Sequence, residues 1–215
     1  MMLVVAIDGP AGAGKSTIAK ALATDLQIAY LDTGAMYRGV TFAVLQRGME
    51  ATDAAAAARI AREVVFVQTA NSLHVDGVDA TAAIRTPEID AAVSHIAANS
   101  AVRDEMRSRQ RQWIADHGGG VVEGRDIGSV VFPDATLKVY LVASPLVRAE
   151  RRVAQHGGDV HEIARAIAER DERDSTRDDS PLRQMPDAIV VDTSNRTVGE
   201  VISEIRQLIA ERVSS

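Results

Sequence analysis

The chain has no cysteine, so a disulfide framework, a cysteine metal site and a thiol nucleophile are all excluded. It has no basic excess either: 24 Lys+Arg stand against 30 Asp+Glu, a formal charge of −6. A broad electrostatic footprint for nucleic acid or for a membrane surface is therefore not expected, and any anionic ligand must be held locally. No apolar run approaches the ~20 residues of a membrane span, and the opening MMLVVAIDGP lacks the basic start of a signal peptide. The expected compartment is the cytoplasm. Lysine is scarce as well, since among the cations only Lys15, Lys20 and Lys138 are lysine. Two readings of that bias stand at this point: codon usage, or a requirement for the planar guanidinium fork that suits phosphate and carboxylate groups.

What is present fits one folded domain. The 215 residues are 46% hydrophobic and 25% charged, and a chain of this length buries roughly 70% of its unfolded surface. Leu3 to Ile7 is a continuous apolar, β-branched run followed by glycines, the pattern of a strand buried on both faces in a parallel sheet. Ser16 to Leu26 carries apolar residues at helical spacing, Ile28 to Leu31 reads as a second strand, and Tyr37 to Arg47 as a helix closed by Gly48. Asp53 to Arg62 is helical on propensity. Val64 to Ala80 reads as a small antiparallel insert, with VVFVQT and SLHV as strands and VDGVD as a turn signal.

Pro87 suits the first position of a helix running to about Ala98, and a second helix follows over about Ala101 to His117. The parallel pattern then resumes. Gly118 to Gly120 lead into the strand VVE, and Leu137 to Val142 is another buried strand. Ser144 and Pro145 start a helix that QHGGD breaks, and Val160 to Arg173 is a charged helix. Ala188 to Asp192 is the last strand, before a helix whose Thr197 and Glu200 fit a capping box. Five strands interleaved with helices predict an α/β fold: a doubly wound five-stranded parallel sheet with one small insert.

Gly9 to Ser16 reads GPAGAGKS, a full match to the phosphate-loop pattern GxxxxGK[ST], which arises by chance in about one in a hundred chains of this length. It follows a predicted strand and opens a predicted helix. The stretch Gly9, Pro10, Ala11, Gly12, Ala13, Gly14, Lys15, Ser16 and Thr17 is thus the candidate ATP site. Loop amides and the helix N-terminus would cradle the phosphates, Lys15 would neutralise the β and γ oxygens, and Ser16 would ligate Mg²⁺. No NKxD stretch of the kind regulatory GTPases use to read guanine occurs. His74, His95, His117, His156 and His161 show no metal-ligand spacing, and Trp113 reads as helix packing.

Four further segments carry a family resemblance. LDTGAMYR (Leu31 to Arg38), IRTPEIDAAVSHIA with AVR (Ile84 to Arg103), EGRDIGSVVFPDA (Glu123 to Ala135) and ERDERDSTR (Glu169 to Arg177) resemble bacterial cytidylate kinase, and with the phosphate loop they span nearly the whole chain in that family's order. The resemblance implies ATP-dependent phosphorylation of CMP and dCMP. Asp126 and Arg103 match the family's base-reading positions, with Ser94 beside them. That suits cytosine, whose N4 amino group donates while N3 and O2 accept. By the same resemblance Asp174 bonds the ribose hydroxyls, Thr33 stands near the acceptor, and Arg38, Arg125, Arg170 and Arg177 surround the CMP phosphate and the transferring group. Lys15, Arg125, Arg170 and Arg177 are the candidate catalytic residues.

The resemblance also implies a division of labour along the chain. Residues 1–38 and 103–215 would be the core, 39–102 a nucleoside-monophosphate-binding insert, and 151–163 a short lid, freed by Gly157 and Gly158. A monomer is expected. Glu123 stands where relatives often have aspartate, which leaves open whether Glu123 or Asp32 orients the metal's water shell. Asp178 and Asp179 lie where relatives are often less acidic. Two alternatives stay open: a related kinase acting on UMP or a non-nucleotide acceptor, and a nucleotide-binding regulatory module.

Overall fold

The computed structural model describes residues 2–214. Its organising element is β1 (Leu3–Asp8), buried along nearly its whole length. Both of its edges are paired: β6 (Gly119–Glu123) lies parallel on one side and β7 (Leu137–Val142) on the other. With β2 (Tyr30–Asp32) and β8 (Ile189–Asp192) the sheet order is β2-β6-β1-β7-β8, the expected five-stranded doubly wound sheet. A strand covered on both faces cannot alternate polar and apolar residues, and that is why Leu3 to Ile7 is uniformly apolar.

The chain separates into two compact units, residues 1–29 with 117–215, and residues 30–116. The first holds β1, α1 (Lys15–Leu26), β6, β7, α6 (Pro145–His156), α7 (Val160–Thr176), β8 and α8 (Val198–Val213). Its core is built from Val5, Ile7, Leu22, Val121, Leu141 and Ile205, each essentially sealed from solvent. Local signals set the helix starts. Ser144 accepts from the Val147 amide ahead of Pro145, and Thr197 and Glu200 close a reciprocal capping box on α8. Between α6 and α7 the glycine break falls where QHGGD placed it, and Asp159 caps α7 by accepting from the His161 and Glu162 amides at 2.9 Å.

The second unit holds β2, α2 (Thr33–Gln46), α3 (Ala54–Glu63), α4 (Pro87–Ala98), α5 (Ser100–Asp116) and an antiparallel sheet of β3 (Phe66–Gln68), β4 (Leu73–Val75) and β5 (Val78–Asp79). Asp76 and Gly77 turn β4 back on β5, so the VDGVD signal marks a hairpin. Val44, Ile60, Ile84, Ile96 and Met106 form the core of this unit.

The structure departs from the sequence reading at several points. β2 starts at Tyr30 rather than Ile28, because the Ile28 amide donates to Ala23 O at 3.0 Å and finishes the end of α1. α2 starts at Thr33 rather than Tyr37, because the Asp32 carboxylate accepts from the Ala35 amide at 2.8 Å and caps the helix four residues earlier. Gly119 and Gly120 are strand residues, paired with Leu3 and Val4, and not merely a lead-in. A π-type turn over Ile127–Val131 had no sequence signal. No helix among the described residues is long and apolar enough to cross a membrane.

Gly119 cannot be replaced cheaply: its φ is +124°, and a Cβ there would stand 2.4 Å from Leu3 O. Gly199, in α8, faces open space with nothing within 4 Å. Gly119→Ala is therefore expected to cost at least ~2 kcal/mol. Gly199→Ala should stabilise by about 0.4–1 kcal/mol. Urea unfolding midpoints of the two variants check the pair.

Candidate active site

In the first unit, β1 ends on Asp8 and the chain enters the phosphate loop. Gly9 takes φ +146°, where a Cβ would sit 2.2 Å from Leu141 O, so the loop runs flush against the end of β7 and only glycine fits. Gly14, in the left-handed conformation, turns the chain into α1. Side chains from around the loop then take its carbonyls one after another. Arg125 Nη1 donates to Gly9 O at 2.9 Å, Lys15 Nζ to Pro10 O at 2.8 Å, Arg148 Nη1 to Ala11 O at 3.0 Å and Thr193 Oγ1 to Ala13 O at 3.0 Å. A peptide's C=O and N–H point in opposite directions, so holding the Ala11 and Ala13 carbonyls turns the Gly12 and Gly14 amides the other way. Thr193 is itself held by Arg151, through Nη1 to Oγ1 at 3.0 Å and Nη2 to the backbone oxygen at 2.6 Å.

The expected residues of this unit converge on one ionic network. Arg125 Nε donates to Asp174 Oδ2 at 2.8 Å, Arg177 Nη1 lies 3.9 Å from Asp174 Oδ1, and Arg177 Nη2 lies 3.4 Å from Asp126 Oδ1. α7 persists to Thr176, so Arg170 and Asp174 share a helical stretch and Arg177 sits at its C-cap. Burial alone would raise the Asp174 carboxyl, but the Arg125 guanidinium outweighs it and holds Asp174 below the usual carboxylate range. Desolvation works against the Arg125 charge too, and Asp174 more than offsets it, so that Arg125 is raised. Asp179 accepts from the Ser180 hydroxyl at 2.6 Å, beside the Ser180 carbonyl that Arg177 Nε also bonds at 2.8 Å.

Lys15 is buried in this cationic setting. Desolvation, reinforced by Arg125, pushes its ammonium down to about 7, with Glu123 pulling in the opposite direction. Asp8 is a site residue that the sequence reading passed over. Its carboxylate accepts from the amides of Ile127 at 2.8 Å and Gly128 at 2.7 Å, shaping the turn that follows Asp126. Burial pushes the Asp8 carboxyl up to about 6 despite those two bonds. A lone acid closing an otherwise apolar strand was the available signal. Asp171, Arg148 and Thr193 were also missed, and nothing in their local spacing singled them out.

In the second unit, Thr33 is buried at the first turn of α2. Five residues on, Arg38 is buried, donates to Ile84 O at 2.8 Å and is ion-paired with Asp90. Arg103 is 1% exposed, donates to Ala97 O at 3.1 Å and has its guanidinium carbon 5.4 Å from the Tyr37 ring centroid. An arginine in the charged stretch AVRDEMRSRQRQW is ordinarily a solvated one, and here it is core. Ser94 is half-buried on α4. Both Asp32 oxygens are engaged, Oδ1 by the Ala35 amide and Oδ2 by Arg85 at 2.7 Å. The described residues contain no group of three or more His, Asp or Glu side chains that could hold a metal on its own. Ser16, next to Lys15, is exposed.

The family model for cytidylate kinase matches residues 5–211. The chain belongs to the cytidylate kinase family. It is 48% identical to a cytidylate kinase of Limosilactobacillus reuteri (strain DSM 20016) over 96% of this chain and 95% of that protein. Against a cytidylate kinase of Mycobacterium leprae (strain Br4923) it is 46% identical, over 98% of this chain and 96% of the relative. At the level of fold it is similar to a shikimate kinase from Acinetobacter baumannii in complex with shikimate, with TM-score 0.52 and 16% identity over 98% of this chain and 94% of that one. In this member of the family the Gly9, Ala11 and Ala13 carbonyls accept from Arg125, Arg148 and Thr193.

An incoming polyphosphate reverses the pressure on Lys15, because nearby negative charge favours the ammonium. Burial favours the neutral amine above about pH 7, so nucleotide binding at Lys15 between that pH and the ordinary lysine range would draw a proton from solution. Calorimetric ATP titrations at pH 8, in two buffers of different ionisation enthalpy, should show net proton uptake. Lys15→Arg, which stays charged, should abolish that uptake.

Proposed function

We propose that this cytidylate-kinase family member transfers the γ-phosphoryl of ATP to CMP and dCMP, giving CDP and dCDP by direct in-line displacement. The observation that carries the proposal is the phosphate loop whose carbonyls are tied outward, joined through Arg125 to the Asp174–Arg177–Asp126 network of α7. The acceptor is already an ionised phosphate oxygen, so no general base is required. Catalysis consists of positioning and charge neutralisation, a task suited to arginine and lysine rather than histidine.

Lys15 leaves Pro10 O and engages the β and γ oxygens. Arg125, Arg170 and Arg177 neutralise the charge on the transferring group, and Arg38 binds the CMP phosphate. Asp174 accepts from the ribose hydroxyls. Asp126 accepts from cytosine N4, while Arg103, with Ser94 beside it, donates to N3 and O2. Thr33 lies at the acceptor. Uracil would turn its O4 acceptor toward Asp126, which disfavours UMP.

The exposed Ser16 hydroxyl beside Lys15, with no cluster of His, Asp or Glu to complete a shell among the described residues, suits Mg²⁺, which keeps several waters and takes its other ligands from phosphates. Ser16 would hold it, and Glu123 or Asp32 would orient its waters. When bound, it supplies further neutralisation of the phosphate oxygens.

A cytoplasmic monomer whose only partners are its small-molecule substrates fits the acidic, cysteine-free composition. Residues 39–102 act as the monophosphate-binding insert and 151–163 as the lid, with Gly157 and Gly158 at its break. ADP production from MgATP, with CMP, dCMP, UMP, AMP, GMP and shikimate offered separately, should be confined to CMP and dCMP. Lys15→Ala should lower kcat by about 10² or more. Asp126→Asn should narrow the CMP/UMP ratio of kcat/KM, and an unchanged ratio would overturn the base-reading role. Amide exchange over QHGGD should slow when both nucleotides are bound together, and exchange indifferent to them would remove the lid.

A further inference from the structure

One carboxylate bonded to the phosphate loop has no part in the mechanism above. Asp171 Oδ1 accepts from the Ala11 amide at 2.8 Å, and its other oxygen is ion-paired with Arg148, which in turn donates to Ala11 O at 3.0 Å. Both polar groups of one loop residue are thus held by two helices, α7 through Asp171 and α6 through Arg148. α6 is also in van der Waals reach, since a Cβ on Gly12 would stand 2.9 Å from Arg148 Cβ. The side chains of the pair are only 11% and 18% exposed, so solvent screens the contact weakly.

A carboxylate beside a polyphosphate site opposes the ligand electrostatically, so charge does not account for one here. Geometry does. The Pro10–Ala11 peptide is gripped at both ends, its C=O by Lys15 Nζ and its N–H by Asp171. When Lys15 turns to phosphate, the C=O end keeps only the long 3.5 Å bond from the Ala13 amide, and the 2.8 Å bond to Asp171 becomes the shorter hold on that peptide plane.

We propose that Asp171, neutralised by Arg148, is a positioning residue for ATP: it fixes the Pro10–Ala11 peptide, so the loop keeps its anion-receiving shape after Lys15 has left it, and it links the two helices flanking the Gly157–Asp159 break to the nucleotide. This rests on the phosphate loop as the ATP site. The test keeps the two ideas apart by measuring the Kd for ATP on the whole protein, together with KM for each substrate and kcat, in wild type, Lys15→Ala, Asp171→Ala and Asp171→Asn.

Asp171→Ala is expected to raise Kd and KM for ATP about tenfold, the scale of one lost charge-assisted bond, while KM for CMP stays within about twofold. Asp171→Asn keeps an oxygen for the Ala11 amide and should recover part of the loss. ATP affinity within about twofold of wild type in Asp171→Ala overturns the proposal, as does an equal change in both KM values. Should Asp171→Ala fail to fold, Asp171→Leu, of similar size and without an acceptor for the Ala11 amide, decides in its place: a selective rise in the ATP Kd supports the role, and an unchanged one overturns it. If Lys15→Ala leaves ATP affinity intact, the loop is not the ATP site. If Lys15→Ala weakens ATP binding and the Asp171 variants do not, only the positioning role falls.

Discussion

The chemistry proposed for this protein depends on the outward tying of the phosphate-loop carbonyls. A loop of glycines and alanines has no side chains with which to hold itself, and its conformational entropy works against any single shape. Here the shape is imposed from outside. Arg125 arrives from the segment after β6, Arg148 from α6 and Thr193 from the end of β8, while Lys15 reaches back from α1 itself. Three segments far apart in sequence, together with the adjoining α1, specify the conformation of one loop. The loop's position is fixed in turn by its approach to the end of β7, where Gly9 leaves no room for a side chain.

The prevalence of arginine acquires a structural meaning in this setting. Arg125 bonds Gly9 O through one nitrogen and Asp174 through another, and Arg148 bonds Ala11 O while paired with Asp171. A compact ammonium cannot present two nitrogens to a carbonyl and a carboxylate as Arg125 does. The ionic network and the phosphate loop are therefore one construction, with the same side chains belonging to both.

Much of the fold was legible because its signals are local. The Ser144–Pro145 start, the Thr197–Glu200 capping box, the Pro87 start and the uniformly apolar β1 each lie within a few residues of what they determine. Long-range determinants were not legible. The turn over Ile127–Val131 is shaped by Asp8, more than a hundred residues earlier, and no window of sequence around the turn contains that cause. The site divides in the same way. The GPAGAGKS pattern marks the loop, and Arg170, Asp174 and Arg177 were marked by motif. Asp171, one position from Arg170, reads as another surface acid until α6 and the loop are seen against it. Arg103 shows the converse: its neighbourhood looks solvated, yet the Tyr37 ring and the Ala97 carbonyl enclose it.

The position of Lys15 carries one more consequence. Its ammonium rests on Pro10 O, in surroundings that bring its ionisation close to neutrality. A phosphate that engages Lys15 must break that bond and restore the full charge of the ammonium. The more negative charge a ligand brings, the better it offsets both costs, so the loop would favour a polyphosphate over a lone phosphate or sulfate.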